Sequence, residues 1–302
     1  MGNAPRHFDK PARSIGALVA LMTERGLVIS DEAECRRALT HIGYYRLSAY
    51  MLPLQIGGQG SDRHVFRPGT TFNHVLGLYT FDRQLRLIAL DALERIEVAL
   101  RAAITDTMSL PYGPFWYCDA NRFRAGFDHA RYLDELKHEI GYQDSRRRAI
   151  AIQHFFDRYD APDLPPAWML FEAIPFGKIA FTIRSLSLHD RTRIADRFDI
   201  PEPILASWVH SLSYIRNLCA HHQRFWNRTF TITPRTATSY RRELTPNWTA
   251  YAQLVTMQVL MRTISPRSRW LERLAVLFAE HPDITPRRLG FPEDWQRRQV
   301  WR

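Results

Sequence analysis

Helical periodicity runs through most of the chain. Ile15, Leu18, Val19 and Met22 fall at i, i+3, i+4 and i+7, the spacing that lines one helix face, and Gly26 follows as a C-cap. Ser30 precedes a second amphipathic stretch, DEAECRRALTHIGYYRLSAY, with Asp31 and Glu32 in the first turn, where the helix dipole favours acids. Pro53 and the stretch GGQGSD (57–62) end this region in a turn or loop. Residues 12–52 are therefore expected to form two short helices.

Thr70 or Thr71 caps a long amphipathic helix expected over about 72–107, where Leu78, Leu85, Ile88, Ala92, Ile96, Ala99 and Ala103 share one face. Asp91–Arg95 and Glu97–Arg101 are i, i+4 pairs in the favourable orientation. Pro111 and Pro114 break the chain, and helix resumes near His129, with Arg146, Arg147 and Arg148 on or beside it. Pro162, Pro165 and Pro166 mark a loop, Trp168 to Leu188 returns to helix with an interruption at Pro175, and Pro201 and Pro203 open a further helix in the first turn, where proline fits. FTITP (230–234) reads as a short strand, while 247–263 and 267–280 read as helices. The pattern predicts an all-α bundle, with an N-terminal helical subregion over 1–65 and a main helical domain over 66–302.

Charge adds a direction. The chain carries +10, and only three of its 41 basic residues are lysines. Residues 201–302 hold 15 arginines against seven acids, a net +8, which leaves +2 on residues 1–200. Arginine's planar donor fork suits phosphate, so this distribution points to a polyanion-binding face, although a solvated surface would also carry it. Three cysteines, Cys35, Cys118 and Cys219, lie far apart with no CxxC pair, which argues against a disulfide scaffold and a four-thiolate zinc site and fits the cytosol. No run of about 18 uncharged apolar residues occurs, which argues against a membrane span. The opening MGNAPRHFDKPARS lacks the apolar stretch of a secretory signal, and Arg6 stands where a myristoylation signal has Ser or Thr.

Candidate chemistry concentrates in PEPILASWVHSLSYIRNLCAHHQRFW, read as one helix from Pro201 to about Trp226. At about 100° per residue, Trp208, Leu212, Ile215, Leu218, Cys219, His222, Phe225 and Trp226 share an apolar side. His210, Ser213, Arg216, Asn217, His221 and Arg224 share the opposite arc. His222 thus reads as a core histidine, whereas His221 joins Arg216 and Asn217 to supply a proton shuttle, a fixed cation and an orienting amide. A hydrated helix face would show the same pattern. Neither histidine pairs into a metal site, because adjacent residues diverge by one residue's rotation of about 100°, no HExxH occurs and no carboxylate lies nearby, so no metal or other cofactor is expected.

RNLCAH (216–221) matches the R-x4-6-H motif of HEPN ribonucleases, with the polar residue often found directly after the arginine. Around it, LASWVHSLSYIRNLCAHHQRFWNR (205–228) resembles the signature of the Abi-like abortive-infection family, AbiD/AbiF type. HIGYYRLSAYMLP (41–53), residues 66–101 and PPAWMLFEAIPFGKI (165–179) are similar to the same family in the same order, so the resemblance covers roughly residues 12–230. It implies a HEPN-type helical fold and phage defence through metal-independent RNA cleavage. His221 would move protons, Arg216 would stabilise the phosphorane, and Asn217 would orient His221 or a phosphate oxygen. Because HEPN sites generally join two such motifs and this chain holds one, a homodimer is implied. A small structured non-coding RNA is an implied inhibitory partner, while neither DNA nor membrane is expected to bind.

Further RNA contacts are expected from His210, Ser213, Arg224 and Arg228, and from Tyr44, Tyr45 and Arg46, which can stack on bases and bind phosphate or equally pack within the N-terminal helices. Arg146 to Arg148 read better as a solvated charge run. Glu94, Glu97 and Arg101 are candidates to brace the active helix, and ordinary ion pairing within one helix accounts for them almost as well. The other function classes open at this point are a non-catalytic RNA-binding regulator using the same Arg/His face, and a helical interaction protein whose basic segment binds acidic protein.

Overall fold

The computed structural model describes residues 11–58 and 61–302. The reading against a leader or lipid anchor falls largely on residues 1–10, outside the described residues, as do positions 59 and 60 of the GGQGSD stretch. Twelve α-helices and no strand occur among the described residues, so the fold is all-α. None of these helices is long and apolar enough to cross a membrane. Two compact units divide the chain, Met1–Gln84 and Leu85–Arg302.

In the first unit, α1 (Ile15–Glu24) is capped by Ser14, whose hydroxyl accepts from the Ala17 N–H, and it ends at Gly26 with φ +86°. Asp31, rather than Ser30, caps α2 (Glu32–His41), accepting from the Glu34 N–H at 2.8 Å. The second predicted helix is in fact two. Gly43, at φ +87°, breaks it and starts α3 (Tyr44–Met51). Leu47, Tyr50 and Met51 face the core, and the Tyr50 hydroxyl donates to buried Asp82.

α4 (Phe72–Tyr112) begins where Thr71 and His74 exchange cap hydrogen bonds, and its 41 residues run about 60 Å. Leu78, Leu85, Ala92, Ile96 and Ala103 are buried as the periodicity requires, with Ile88 and Ala99 at the margin. The same helix buries four charged residues, Asp82, Arg86, Glu97 and Arg101, which periodicity alone does not distinguish from surface pairs.

The second unit continues with α5 (His129–Glu139), α6 (Ile150–Arg158), α7 (Ala167–Ala173), α8 (Phe176–Ser185), α9 (Leu188–Asp196), α10 (Glu202–Ala220), α11 (Ala250–Ile264) and α12 (Trp270–Glu280). Pro175 does interrupt the 168–188 stretch, separating α7 from α8. The run Arg146–Arg148 is tied down locally. Arg146 pairs with Asp144, and Arg148 donates to the Gly141 and Tyr142 carbonyls while lying over the Phe156 ring. FTITP forms no strand. Its backbone is irregular, held by the Phe230 N–H on the Trp248 carbonyl and by Ile232, whose carbonyl sits 2.9 Å from the Ser211 hydroxyl.

α11 is buried on every side from Ala250 to Met261, as a helix central to a bundle must be, and α10 packs against α8, α9 and α11. The C-terminal residues wrap this centre. Phe291, Trp295 and Trp301 join Tyr251 of α11 and Phe278 of α12 in one aromatic cluster. Gly290 permits the approach, since a Cβ there would lie 2.6 Å from the Thr249 Cβ.

Candidate active site

α10 opens with Pro201 as N-cap and Pro203 in its first turn, and Glu202 pairs with Arg191 at 3.2 Å. Its apolar side, from Leu205 through Trp208, Leu212, Ile215 and Cys219, is fully buried, which fixes the helix rotation and turns Arg216 and Asn217 outward.

The helix stops at Ala220 instead of continuing to Trp226. His221 is the C-cap, its N–H on the Asn217 carbonyl at 2.9 Å. His222 adopts φ +56°, its N–H reaching Cys219 O and that of Gln223 reaching Leu218 O, the paired bonds of a Schellman closure. Histidine is among the few non-glycine residues enriched in this left-handed conformation. This overturns the placement of His222 on the apolar side. The chain has left the helical register before its side chain is reached, and the residue is exposed. Phe225 and Trp226 are buried as expected, but from a loop.

Arg216 is held from two directions. Its Nε lies 3.3 Å from Glu97 Oε2 of α4, and its Nη1 donates to Asn217 Oδ1 at 3.2 Å. Glu97 is only 8% exposed and also takes a charge-assisted hydrogen bond from Arg101. Arg101 in turn donates to the carbonyls of Phe171 and Ile174 at the end of α7. Glu97 and Arg101 therefore do brace the motif helix, whereas Glu94 is exposed. Asn217 orients Arg216 through its side chain and meets His221 only through its backbone. The His221 imidazole is exposed and has no hydrogen bond or ion pair among the described residues.

The other candidates separate. His210 is half-buried on α10, and burial, then the charge of Arg184 on α8, push it below the ordinary histidine value. Ser213 is buried, its hydroxyl spent on the His210 carbonyl, so it presents no surface contact. Arg228 ties the loop after α10 together, donating to Gln223 Oε1, to the carbonyl of Arg224 and to the Tyr214 hydroxyl. In the first unit, Tyr45 is 92% exposed and Arg46 is exposed, while Tyr44 is half-buried and accepts from Arg25. Much of the C-terminal positive charge is likewise engaged: Arg242 and Arg298 with Asp294, Arg273 with Asp91, and Arg269 with Glu272. The described residues contain no group of three or more His, Cys, Asp or Glu placed to hold a metal.

Sequence reasoning missed Arg184, whose buried Nε has no hydrogen-bond partner. A signal existed, because Arg184 has no acid at i±3 or i±4.

An arginine held by a buried carboxylate, five residues before an exposed histidine that caps the same helix, marks a candidate polar site on an all-α protein. Residues 37–227 match the sequence profile of the family described as Abi-like protein, and the chain belongs to that family. No curated protein and no solved structure was found to match it. Family membership points to a role in abortive infection.

Proposed function

We propose that this Abi-like protein is a HEPN-type endoribonuclease that cuts RNA without a metal, acting in the cytoplasm as a toxin or phage-defence effector. The observation that carries the reading is an Arg216 guanidinium fixed by Glu97 and Asn217, five residues before an exposed His221 that caps the same helix. In the reaction a base takes the 2′-hydroxyl proton and the 2′-oxygen attacks phosphorus. The P–O5′ bond then breaks, and an acid protonates the departing 5′-oxygen. The products are a 2′,3′-cyclic phosphate and a 5′-hydroxyl. Arg216, held rigid by Glu97 and Asn217, meets the charge that builds on the phosphorane without reorganising, which is what makes such a donor effective. Glu97 and Arg101 are positioning residues.

Acid and base are two roles, and each chain supplies one R-x4-H, so a homodimer brings the second His221 to the same phosphate. A small structured RNA that blocks this face would hold the toxin in check. The test is subunit mixing. A His221→Ala chain mixed with an Arg216→Ala chain should regain part of the cleavage that each lacks, and the active species should have the mass of a dimer. A strict monomer that cuts RNA would refute the shared site, and a His221→Ala protein as active as the parent would refute the ribonuclease.

A further inference from the structure

A second feature of the larger unit has the chemistry of a nucleotide. A groove of about 400 Å³ between the loop before α5, α5 itself and α8 is lined by Arg124, Phe127, Asp128, Arg131, Glu135 and Phe181, with buried Tyr132 at its floor. Phe127 and Phe181 are half-buried, with centroids 5.9 Å apart, and Phe123 stacks on Phe127 at 4.9 Å, so the ring pair is rigid. Rigid aromatic surface beside arginines is what single-stranded RNA stacks on.

The acids here do not oppose that use. Asp128 caps α5 through the Arg131 N–H, and Glu135 accepts from Lys178 at 2.8 Å and Arg131 at 3.0 Å. Lys178 first, then Arg131, lower the Glu135 value, so its charge stays neutralised by theirs. The cations at the other end have no such partners. Neither Arg124 nor Arg184 forms an ion pair among the described residues, and the Arg184 Nε is buried without a hydrogen bond. The Arg124 N–H donates to the Ser185 carbonyl at 2.9 Å, which sets Arg124 beside Arg184, and α8 packs on α10, where burial and then the Arg184 charge lower the His210 value. Two neighbouring arginines without counterions, one of them partly desolvated, are costly unless an anion joins them. His210 lies six residues before Arg216 on α10, about 9 Å along the helix, so the row leads from the groove onto the motif helix.

We propose that the groove and the adjoining Arg124–Arg184–His210 row form a second RNA subsite, in which a base of single-stranded RNA rests on Phe127 and Phe181 and its phosphate sits between Arg124 and Arg184. This rests on the ribonuclease reading and extends it to the strand beyond the cut.

The test is fluorescence anisotropy of a short oligouridylate on the full-length His221→Ala protein, across a salt series. Arg124→Gln and Arg184→Gln should each weaken binding about tenfold and flatten the salt slope by about 0.7, as loss of one phosphate contact requires. Arg146→Gln, at an 89% exposed arginine outside the groove, should leave affinity unchanged. Because Arg184→Gln alters a half-buried position, a second measurement uses no groove substitution: 4-thiouridine RNA should crosslink to the tryptic peptides 125–131 or 179–184, which carry Phe127 and Phe181. Unchanged affinity and slope with crosslinks elsewhere would overturn the subsite and leave the ribonuclease standing. A His221→Ala protein with no affinity for the oligonucleotide at low salt would overturn both.

Discussion

Replacing Glu97 by Ala separates the brace from the reactive groups. Glu97 is 8% exposed and its Arg101 partner 7%, so the substitution leaves a buried guanidinium with only the Phe171 and Ile174 carbonyls for company. Breaking a buried pair from one side costs about 3–5 kcal/mol, which in a domain of this size lowers the melting temperature by about 6–20 °C. Arg216→Ala touches the same carboxylate from its outer end. The Arg216 side chain is 36% exposed and Glu97 keeps Arg101, so the stability cost should stay under about 1 kcal/mol. Cleavage should be lost in both variants. Glu97→Gln keeps the volume, so a melt close to that of Glu97→Ala would assign the loss to charge rather than to a cavity. Differential scanning calorimetry beside an RNA cleavage assay reads all three. If Glu97→Ala melted with the parent, or Arg216→Ala fell as far as Glu97→Ala, the proposed chain of support from α7 to Arg216 would be wrong.

The remaining predictions concern the end and the middle of α10. His222→Gly should be more stable than His222→Val by about 1–2 kcal/mol, since both lack the imidazole and only valine strains the left-handed backbone at φ +56°; thermal melts of the two decide it. For His210, burial and then Arg184 lower the folded value below 6.5, so on acidification the unfolded chain binds its proton first. The stability tied to neutral His210 is therefore present above pH 6.5 and lost as pH falls through the folded value; His210→Gln should lose less stability than the parent between about pH 7 and 5, and parallel pH dependences would contradict this.

Much of this architecture is legible along the chain because it is written in local chemistry. The apolar face of α4, the prolines that open α10 and the break at Pro175 each follow from steric or capping rules that need no tertiary context. Other features are decided by contacts or by backbone choices that sequence leaves open. The apolar pattern of α10 runs on through Phe225 and Trp226, and no glycine marks the stop, yet His222 closes the helix in the conformation usually left to glycine. Periodicity therefore sent His222 inward when it is exposed. α6 and α9, at nine residues each, are too short to stand out. The burial of Glu97 and Arg101 was also hidden, because an i, i+4 pair reads the same at a surface as in a core. For the candidate site, the motif singles out Arg216, Asn217 and His221, whereas only the fold shows what holds Arg216 and that Ser213 is turned inward.

The most direct measurement is end-group analysis of RNA incubated in EDTA with the parent protein and with His221→Ala. Metal-independent cleavage through His221 requires that the parent generate 2′,3′-cyclic phosphate and 5′-hydroxyl termini, and that His221→Ala bind the RNA but leave it whole. Cleavage that vanishes in EDTA and returns with Mg²⁺ on an unstructured RNA, 3′-hydroxyl termini, or equal cutting by His221→Ala would contradict it.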